Sequence, residues 1–555
     1  MAGQSLDVHT FLRKGSSATD TGYPVVKSEY DRVWQKYCGF LDLDLPQFMS
    51  IQESLLLQQL EKVANCTLGR RLIGNRTPVS VEEYRHQVRL TTYEDYLPEL
   101  DRGDGSALPE KPHVWASTSG AAGGCRRVPY TLEAYRRSLD NLMSAFILAC
   151  SRQRGQSSLV EGDRVLYNVA PAPYLSGLLA DGASRLFNLR PVMPPDMHDG
   201  MDFREKITRG FEMSLRTGVD IMVAMTSVLV KTGNEFNRMS RKSKISSHLM
   251  HPGELGRVLR AFLRSRLESR SILPKDLWPL KAIIGWGIDT GVYRDLVYQY
   301  WGAYPYEFHA CTEAGIIAAQ SWTRRGMTFF PHSNFFEFIP EDEWMKSRDD
   351  VFYEPRTLLL PDVKPGERYE LVITSFYGMP FVRYRLGHLV RITALEDREA
   401  AVYLPQMVFE ARADDLIDIA GFTRVSEKTV MQAVASSGIH YEDWIVRKEI
   451  REGKPALHLY IELDGGNSKV DLASVLHGEL MKADPGYHDL AAMMEMRPLE
   501  VTVLGEGTFK DYYRVKQESG SGLAQRRPPR MNAPDSVVEE LLSLGGRRRV
   551  PVAQR

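Results

Sequence analysis

From about His113 onward, short apolar runs alternate with longer helix-period segments, and this alternation constrains the fold more than any other feature. The runs are RVLYNV (164–169), DIMVAM (220–225), KAIIGW (281–286) and EFHA (307–310). Between them lie TLEAYRRSLDNLMSAFILAC (131–150) and TSVLVKTGNEF (226–236). Parallel strands need long crossovers, usually helical, so the pattern predicts an α/β unit with a parallel sheet covered by helices. RYELVITS (368–375) reads as a further strand. Ahead of this region SIQESLLLQQLEKV reads as an amphipathic helix capped by Ser50, with Leu55, Leu56, Leu57 and Leu60 on its apolar face.

A break in texture near Glu410 divides the chain into a large N-terminal domain, 1–409, and a smaller α+β domain, 410–555. In the latter, SEKTVMQAVASSG (426–438) is a helix with a Ser cap and a Gly stop, and HLYIEL (458–463) and LEVTVL (499–504) are strands flanking a helix over 470–484. A chain of 555 residues exceeds one ordinary core, which fits this division. Lys and Arg number 70 against 71 Asp and Glu, which argues against a nucleic-acid partner. Five scattered cysteines form no CxxC pair and no closed disulfide framework, so a cytoplasmic setting is expected. No apolar stretch is long enough to span a bilayer, and no membrane partner is expected.

The segment richest in chemistry is STSGAAGGCRRVPYT, 117–131, between an apolar VWA and a strong helix pattern. Gly120, Gly123 and Gly124 let backbone N–H groups curl around an anion, Thr118 and Ser119 add hydroxyls, and Arg126 and Arg127 add positive charge. The segment is either a polyphosphate cradle or an ordinary Gly/Ser-rich loop. Other candidates are weaker. His248 and His251 form an HxxH without a nearby third ligand, His198 is a loop histidine, and Cys311 and Met225 read as packing residues.

The loop resembles the phosphate loop of the adenylate-forming enzymes, Thr-Ser-Gly-(Ser/Thr)-(Ser/Thr)-Gly. Four further segments resemble that superfamily in the right order. Gly285-Trp286-Gly287 sits where its adenine-contacting backbone lies. His309-Ala310-Cys311-Thr312-Glu313 is similar to its aromatic-Gly-x-Thr-Glu motif. Val382-Arg383-Tyr384-Arg385-Leu386-Gly387-His388 is similar to Arg-Tyr-Arg-x-Gly-Asp, and Arg412-Ala413-Asp414-Asp415 to its interdomain hinge. YPYEFHACTEAG (304–315), ITSFYGMPFVRYRLGHLVRI (373–392), ARADDLIDIAGFTRVSEKTV (411–430) and the late GTFKDYY…LAQRRPPRMN (507–532) resemble, more narrowly, the acyl-acid amido synthetases of the plant auxin-responsive type and their bacterial relatives.

The resemblance implies an adenylate-forming-type large domain, a small mobile domain, and an active site between them. It implies a reaction in which ATP and a carboxylic acid give an acyl-adenylate, from which an amine or amino acid takes the acyl group as an amide. By the same resemblance Glu313 holds Mg²⁺, Thr312 contacts the α-phosphate, and Gly285, Trp286, Gly287 and His309 border the adenine. Arg412 reaches the ribose or phosphate, and Arg527 stands where the family has a late lysine. APAPYLSGLLADGA (170–183), with Tyr174, resembles the acyl side, and Val223 and Trp286 at strand ends are placed there too.

Four departures surround the nucleotide. Ala121 and Ala122 replace loop hydroxyls, each worth about 1.5–3 kcal/mol as a charge-assisted bond. His309 replaces a tyrosine, His388 a ribose-binding aspartate, and Arg527 the lysine. Two alternatives therefore stand beside ATP-dependent ligation. One is an ATP-independent transfer from a pre-activated acyl donor with His388 as general base; the other is a non-catalytic binding protein.

Overall fold

A computed structural model describes residues 24–101, 103, 105–118, 126–194, 197, 203–241, 252–286, 290–350, 352–419, 423–451, 454–464, 471–494, 498–518 and 527–545. They fold into two compact units. The first extends to Phe409, and the second takes Glu410 onward together with Arg126 and Gly387–Leu389.

The first unit is built on an eleven-stranded sheet. In spatial order its strands are Asn334–Pro340, Arg368–Ser375, Tyr384–Ala394, Gln406–Arg412, Met327–Phe329, Gly315–Gln320, Pro305–Cys311, Ala282–Trp286, Ile221–Met225, Arg164–Asn168 and Arg190–Pro191. The last five are mutually parallel. From Pro305–Cys311 back through Gly315–Gln320 and Met327–Phe329 to Gln406–Arg412 the pairing turns antiparallel. The alternation of apolar runs thus marks the parallel half, as expected. The antiparallel half has no crossover helices to punctuate it, and only Arg368–Ser375 was legible there.

Alternating side chains of the parallel strands separate two cores. Val165, Tyr167, Ile221, Val223, Ala282 and Ile284 join the main core with Leu139, Met143 and Phe146 of helix Leu132–Ala149. Leu166, Met222, Ala224 and Ile283 face the other side, against Trp278 and Trp301. Helix Leu132–Ala149 starts at Thr131, whose hydroxyl accepts from Ala134 N. The early helix runs Leu45–Ala64 and begins one and a half turns before Ser50. Its cap is Asp44, which accepts from Gln47 N while the Gln47 side chain accepts from Asp44 N. That reciprocal cap, followed by Pro46, outweighs the serine, which lies inside the helix.

The second unit carries strands Tyr441–Arg451, Lys454–Leu463 and Leu499–Leu504. The first pair is antiparallel, and the parallel second pair is joined through helices Leu472–Ala483 and Pro485–Met494. Helix Glu427–Ser436 has its expected Ser426 cap, and Gly438 follows at φ 69°. Among the described residues no helix is long and apolar enough to cross a membrane.

Candidate active site

Parallel strands place their carboxyl ends on one edge of the sheet, where the backbone turns away and leaves room for ligands. Strand Val114–Ser117 is brought to this edge by Ser117 N, which donates to Pro173 O at 2.9 Å. Thr118 therefore stands beside the loop that follows Arg164–Asn168, with Tyr174 at the start of helix Leu175–Leu186. Gly285 and Trp286 end their strand two places along. A side-chain carbon at Gly285 would make ordinary contacts, at 3.5 Å or more, with Pro305, Thr226 and the Ala224 carbonyl.

Thr312 and Glu313 form the turn between Pro305–Cys311 and Gly315–Gln320. The turn is clamped from three directions. The Tyr130 hydroxyl donates to Thr312 O at 2.7 Å, Asn334 Nδ2 to Ala314 O at 2.9 Å, and Asn141 Nδ2 to Ile316 O at 2.9 Å. Burial first, then Cys311 and Glu313, pushes the Tyr130 phenol far up, so it remains a neutral donor. Gly315 holds φ 70°, and a Cβ there would fall 2.7 Å from Ser138 Oγ. Helix Leu132–Ala149 thus packs directly on the turn, and Glu313 shares a small cavity with Arg137, Ser138 and Asn141. A carboxylate and a hydroxyl on a turn whose backbone is held suit a hard divalent cation and a phosphate.

His309, on strand Pro305–Cys311, is buried and stacks on Phe409, with ring centroids 4.8 Å apart and planes at 26°. His309 lies two residues beyond Glu307, the strand partner of Gly285. Arg127 belongs to strand Arg127–Tyr130, where its guanidinium lies 4.8 Å over the Trp115 ring. Val223, expected at the acyl side, packs in the main core instead at 4 % exposure, because strand alternation turns it toward helix Leu132–Ala149. Ser119, Gly120, Gly123, Gly124, Gly287, His198, His248, His251 and the Trp286 side chain lie outside the described residues.

In the second unit His388 is buried and Arg412 exposed. Arg527 is half exposed, with its guanidinium 3.9 Å from the Asp443 carboxylate. Asp443 also accepts from Arg530 at 2.9 Å and from the Tyr513 hydroxyl at 2.7 Å. Burial opposes ionisation of Asp443, but Arg530, then Arg527, outweigh it and hold its carboxyl down at about 2. Arg530 O accepts from Val446 N, so the Arg527-Pro528-Pro529-Arg530 segment is moored beside strand Tyr441–Arg451 at both side chain and backbone.

Two features escaped the sequence reading. Arg383, within the Arg-Tyr-Arg motif, is buried and uses all five N–H donors. Nε and Nη2 bind Glu337 at 3.0 Å each, Nη2 also reaches Thr357 Oγ1, and Nη1 bonds to the carbonyls of Arg85 and Val88. Its φ of 42° is unfavourable for a residue with a Cβ, and this network over-determines it. Lys206, also buried, donates to Val169 O at 3.0 Å just past the end of Arg164–Asn168, and burial lowers its amine to about 8. Its sequence neighbours gave no sign of that burial; only the hydrophobic side of helix Phe203–Thr217 could have pointed to it.

The α/β sheet and the separate α+β unit have the fold of the adenylate-forming enzymes. Over nearly the whole of both chains the fold matches AtGH3.15 acyl acid amido synthetase in complex with 2,4-DB, at 18 % identity and a TM-score of 0.66, covering 97 % of this chain and 100 % of that one. It also matches 2-hydroxyisobutyryl-CoA ligase in its postadenylation state, at 13 % identity and a TM-score of 0.52 over 86 % of each chain. The GH3 family N-terminal domain model matches residues 40–169, the central domain model 327–412 and the C-terminal domain model 426–535, together more than half of the chain. The chain belongs to the GH3 family. A probable indole-3-acetic acid-amido synthetase of Oryza sativa subsp. japonica is 25 % identical over 88 % of this chain and 87 % of its own length. A jasmonoyl–L-amino acid synthetase of the same subspecies is 29 % identical over 38 % of each.

Proposed function

We propose that the chain is an ATP-dependent acyl-acid amido synthetase, an acid–amine ligase that adenylates a small carboxylic acid and passes the acyl group to an amine or amino acid. The observation that carries this reading is the clamped Thr312–Glu313 turn on the carboxyl edge of the parallel sheet, in line with Gly285 and Thr118. The relatives are named as an indole-3-acetic acid-amido synthetase and a jasmonoyl–L-amino acid synthetase, and this reading assigns the chain the same reaction class.

A carboxylate is a poor electrophile, so the protein must hold it against the α-phosphorus and neutralise the charge that gathers there. Mg²⁺ supplies that neutralisation when bound. Glu313 is its ligand from this chain, and Thr312 directs a hydroxyl at the α-phosphate. Thr118, with Ser119, Gly120, Gly123, Gly124, Arg126 and Arg127, lines the polyphosphate. Gly285, Trp286, Gly287 and His309 border the base, and Tyr174 with Trp286 the acyl group. Arg412 and Arg527, from the 410–555 domain, and His388, on strand Tyr384–Ala394, are assigned to ribose, leaving group and adenylation. The few scattered cysteines suit a reducing cytoplasm.

The test is thermal unfolding with and without Mg·ATP, followed by pyrophosphate release over a panel of carboxylic acids. Ligand at a hundred times Kd stabilises a protein by about 2.7 kcal/mol. A shift in melting temperature plus acid-dependent pyrophosphate release, lost in Glu313→Gln, is the expected result. No shift at millimolar Mg·ATP would overturn the proposal.

A further inference from the structure

Helix Pro252–Leu267 of the first unit is turned the wrong way round for a surface helix. Its inner side is held by Ala261 and Ser265, both buried, and by Arg257, which donates to Leu215 O at 2.8 Å. Its outer side carries Leu255, Leu259, Leu263 and Leu267 at four-residue intervals, with Phe262 beside them. Their exposures are 57, 55, 55, 86 and 39 %. Scattered exposed leucines need no explanation, but five large apolar side chains along one outward face do.

The charges on the same helix say what covers that face. Among its sixteen residues four are arginine and one is glutamate. Arg260, Arg264 and Arg266 are exposed at the margins of the leucine row, with the Arg266 guanidinium 5.1 Å from the Phe262 ring. A second copy of the chain would bring these arginines against one another, and a four-residue repeat lacks the three-and-four alternation of a paired helical seam. Leucines along roughly 18 Å of helix, flanked by arginines, match instead the boundary between anionic headgroups and acyl chains. An interfacial helix of this kind needs no bilayer-spanning stretch.

We propose that helix Pro252–Leu267 docks the protein on an anionic lipid surface, its leucines entering the acyl boundary and Arg260, Arg264 and Arg266 meeting lipid phosphates. The test is sedimentation of the full chain with sucrose-loaded vesicles of phosphatidylcholine alone or of phosphatidylcholine mixed equally with phosphatidylglycerol. Light scattering of the free protein runs in parallel. Partition onto the mixed vesicles should exceed that onto neutral ones about tenfold and fall with added salt. Leu259→Glu/Leu263→Glu should abolish it, and Arg260→Glu/Arg264→Glu should remove the preference for anionic lipid. Both pairs are exposed, so melting temperature should stay at the wild-type value. Wild-type protein left in the supernatant overturns the proposal, as does retained binding by the leucine variant. A wild-type dimer that Leu259→Glu/Leu263→Glu turns into a monomer also overturns it, giving the face to a second copy.

Discussion

Replacing Arg383 by methionine tests whether a motif arginine works on the fold or on the substrate. Both Arg383 and Glu337 are buried, with side-chain exposures of 6 and 1 %. Methionine fills similar space but leaves the Glu337 carboxylate without its fork and the carbonyls of Arg85 and Val88 without their donor. Breaking a buried pair from one side costs about 3–5 kcal/mol. Arg85 Nε, 3.3 Å from Glu337, supplies partial compensation, which places the expected loss near the lower bound, about 3 kcal/mol. That is roughly a hundredfold in the folded-to-unfolded ratio. The assay is urea unfolding followed by tryptophan fluorescence, with pyrophosphate release measured at low temperature where the variant remains folded. Adding Glu337→Gln to Arg383→Met removes the orphaned charge and should recover at least about 1 kcal/mol. A loss of stability below about 1 kcal/mol, together with abolished pyrophosphate release, would refute the argument, because Arg383 would then act on substrate rather than on Glu337.

Two further outcomes are expected. His309→Ala removes the ring stacked on Phe409 and should weaken ATP binding roughly tenfold at unchanged KM for the acid, from about 1–1.5 kcal/mol of lost stacking; an unaltered ATP titration would remove His309 from the nucleotide site. Burial first, then Arg137, lowers His332 from 6.5 to about 4. Between those two pH values the unfolded chain binds the extra proton, so stability is lost as pH falls from about 6.5 toward 4. His332→Gln should flatten that decline by an amount on the order of 2–3 kcal/mol, and parallel pH–stability curves for variant and wild type would show that the imidazole is not the cause.

The parallel half of the sheet was legible because burial on both faces makes each strand a short apolar run, and each crossover supplies a contrasting helical period. The segment 117–131 was legible as a candidate phosphate loop because glycines and hydroxyls cluster within fifteen residues. What fixes the edge was not. Tyr130, Asn141 and Asn334 reach the Thr312–Ala314 turn and the strand beyond it across 175 residues and more in two cases, and no local pattern marks a side chain that bonds a distant carbonyl. Arg383 was read inside a nucleotide motif, yet its donors are spent on Glu337 and on backbone. Val223 was expected at or near a strand end, yet it is the middle residue of Ile221–Met225, on the same side as its strand partners Tyr167 and Ile284.

The contact between Gly315 and Ser138 bears on how such sequences are to be compared. Gly315 is demanded by the helix packed on its turn, and Arg383 by its buried partner, whether or not any nucleotide arrives. A descendant that gave up ligation would keep both for the sake of its fold, and would continue to look like a ligase across two motifs. Thr312 is different, since it is its backbone carbonyl that the Tyr130 hydroxyl grips, which leaves the clamp indifferent to the side chain there. Drift at that position is therefore the sensitive gauge of whether a given lineage still carries out the chemistry.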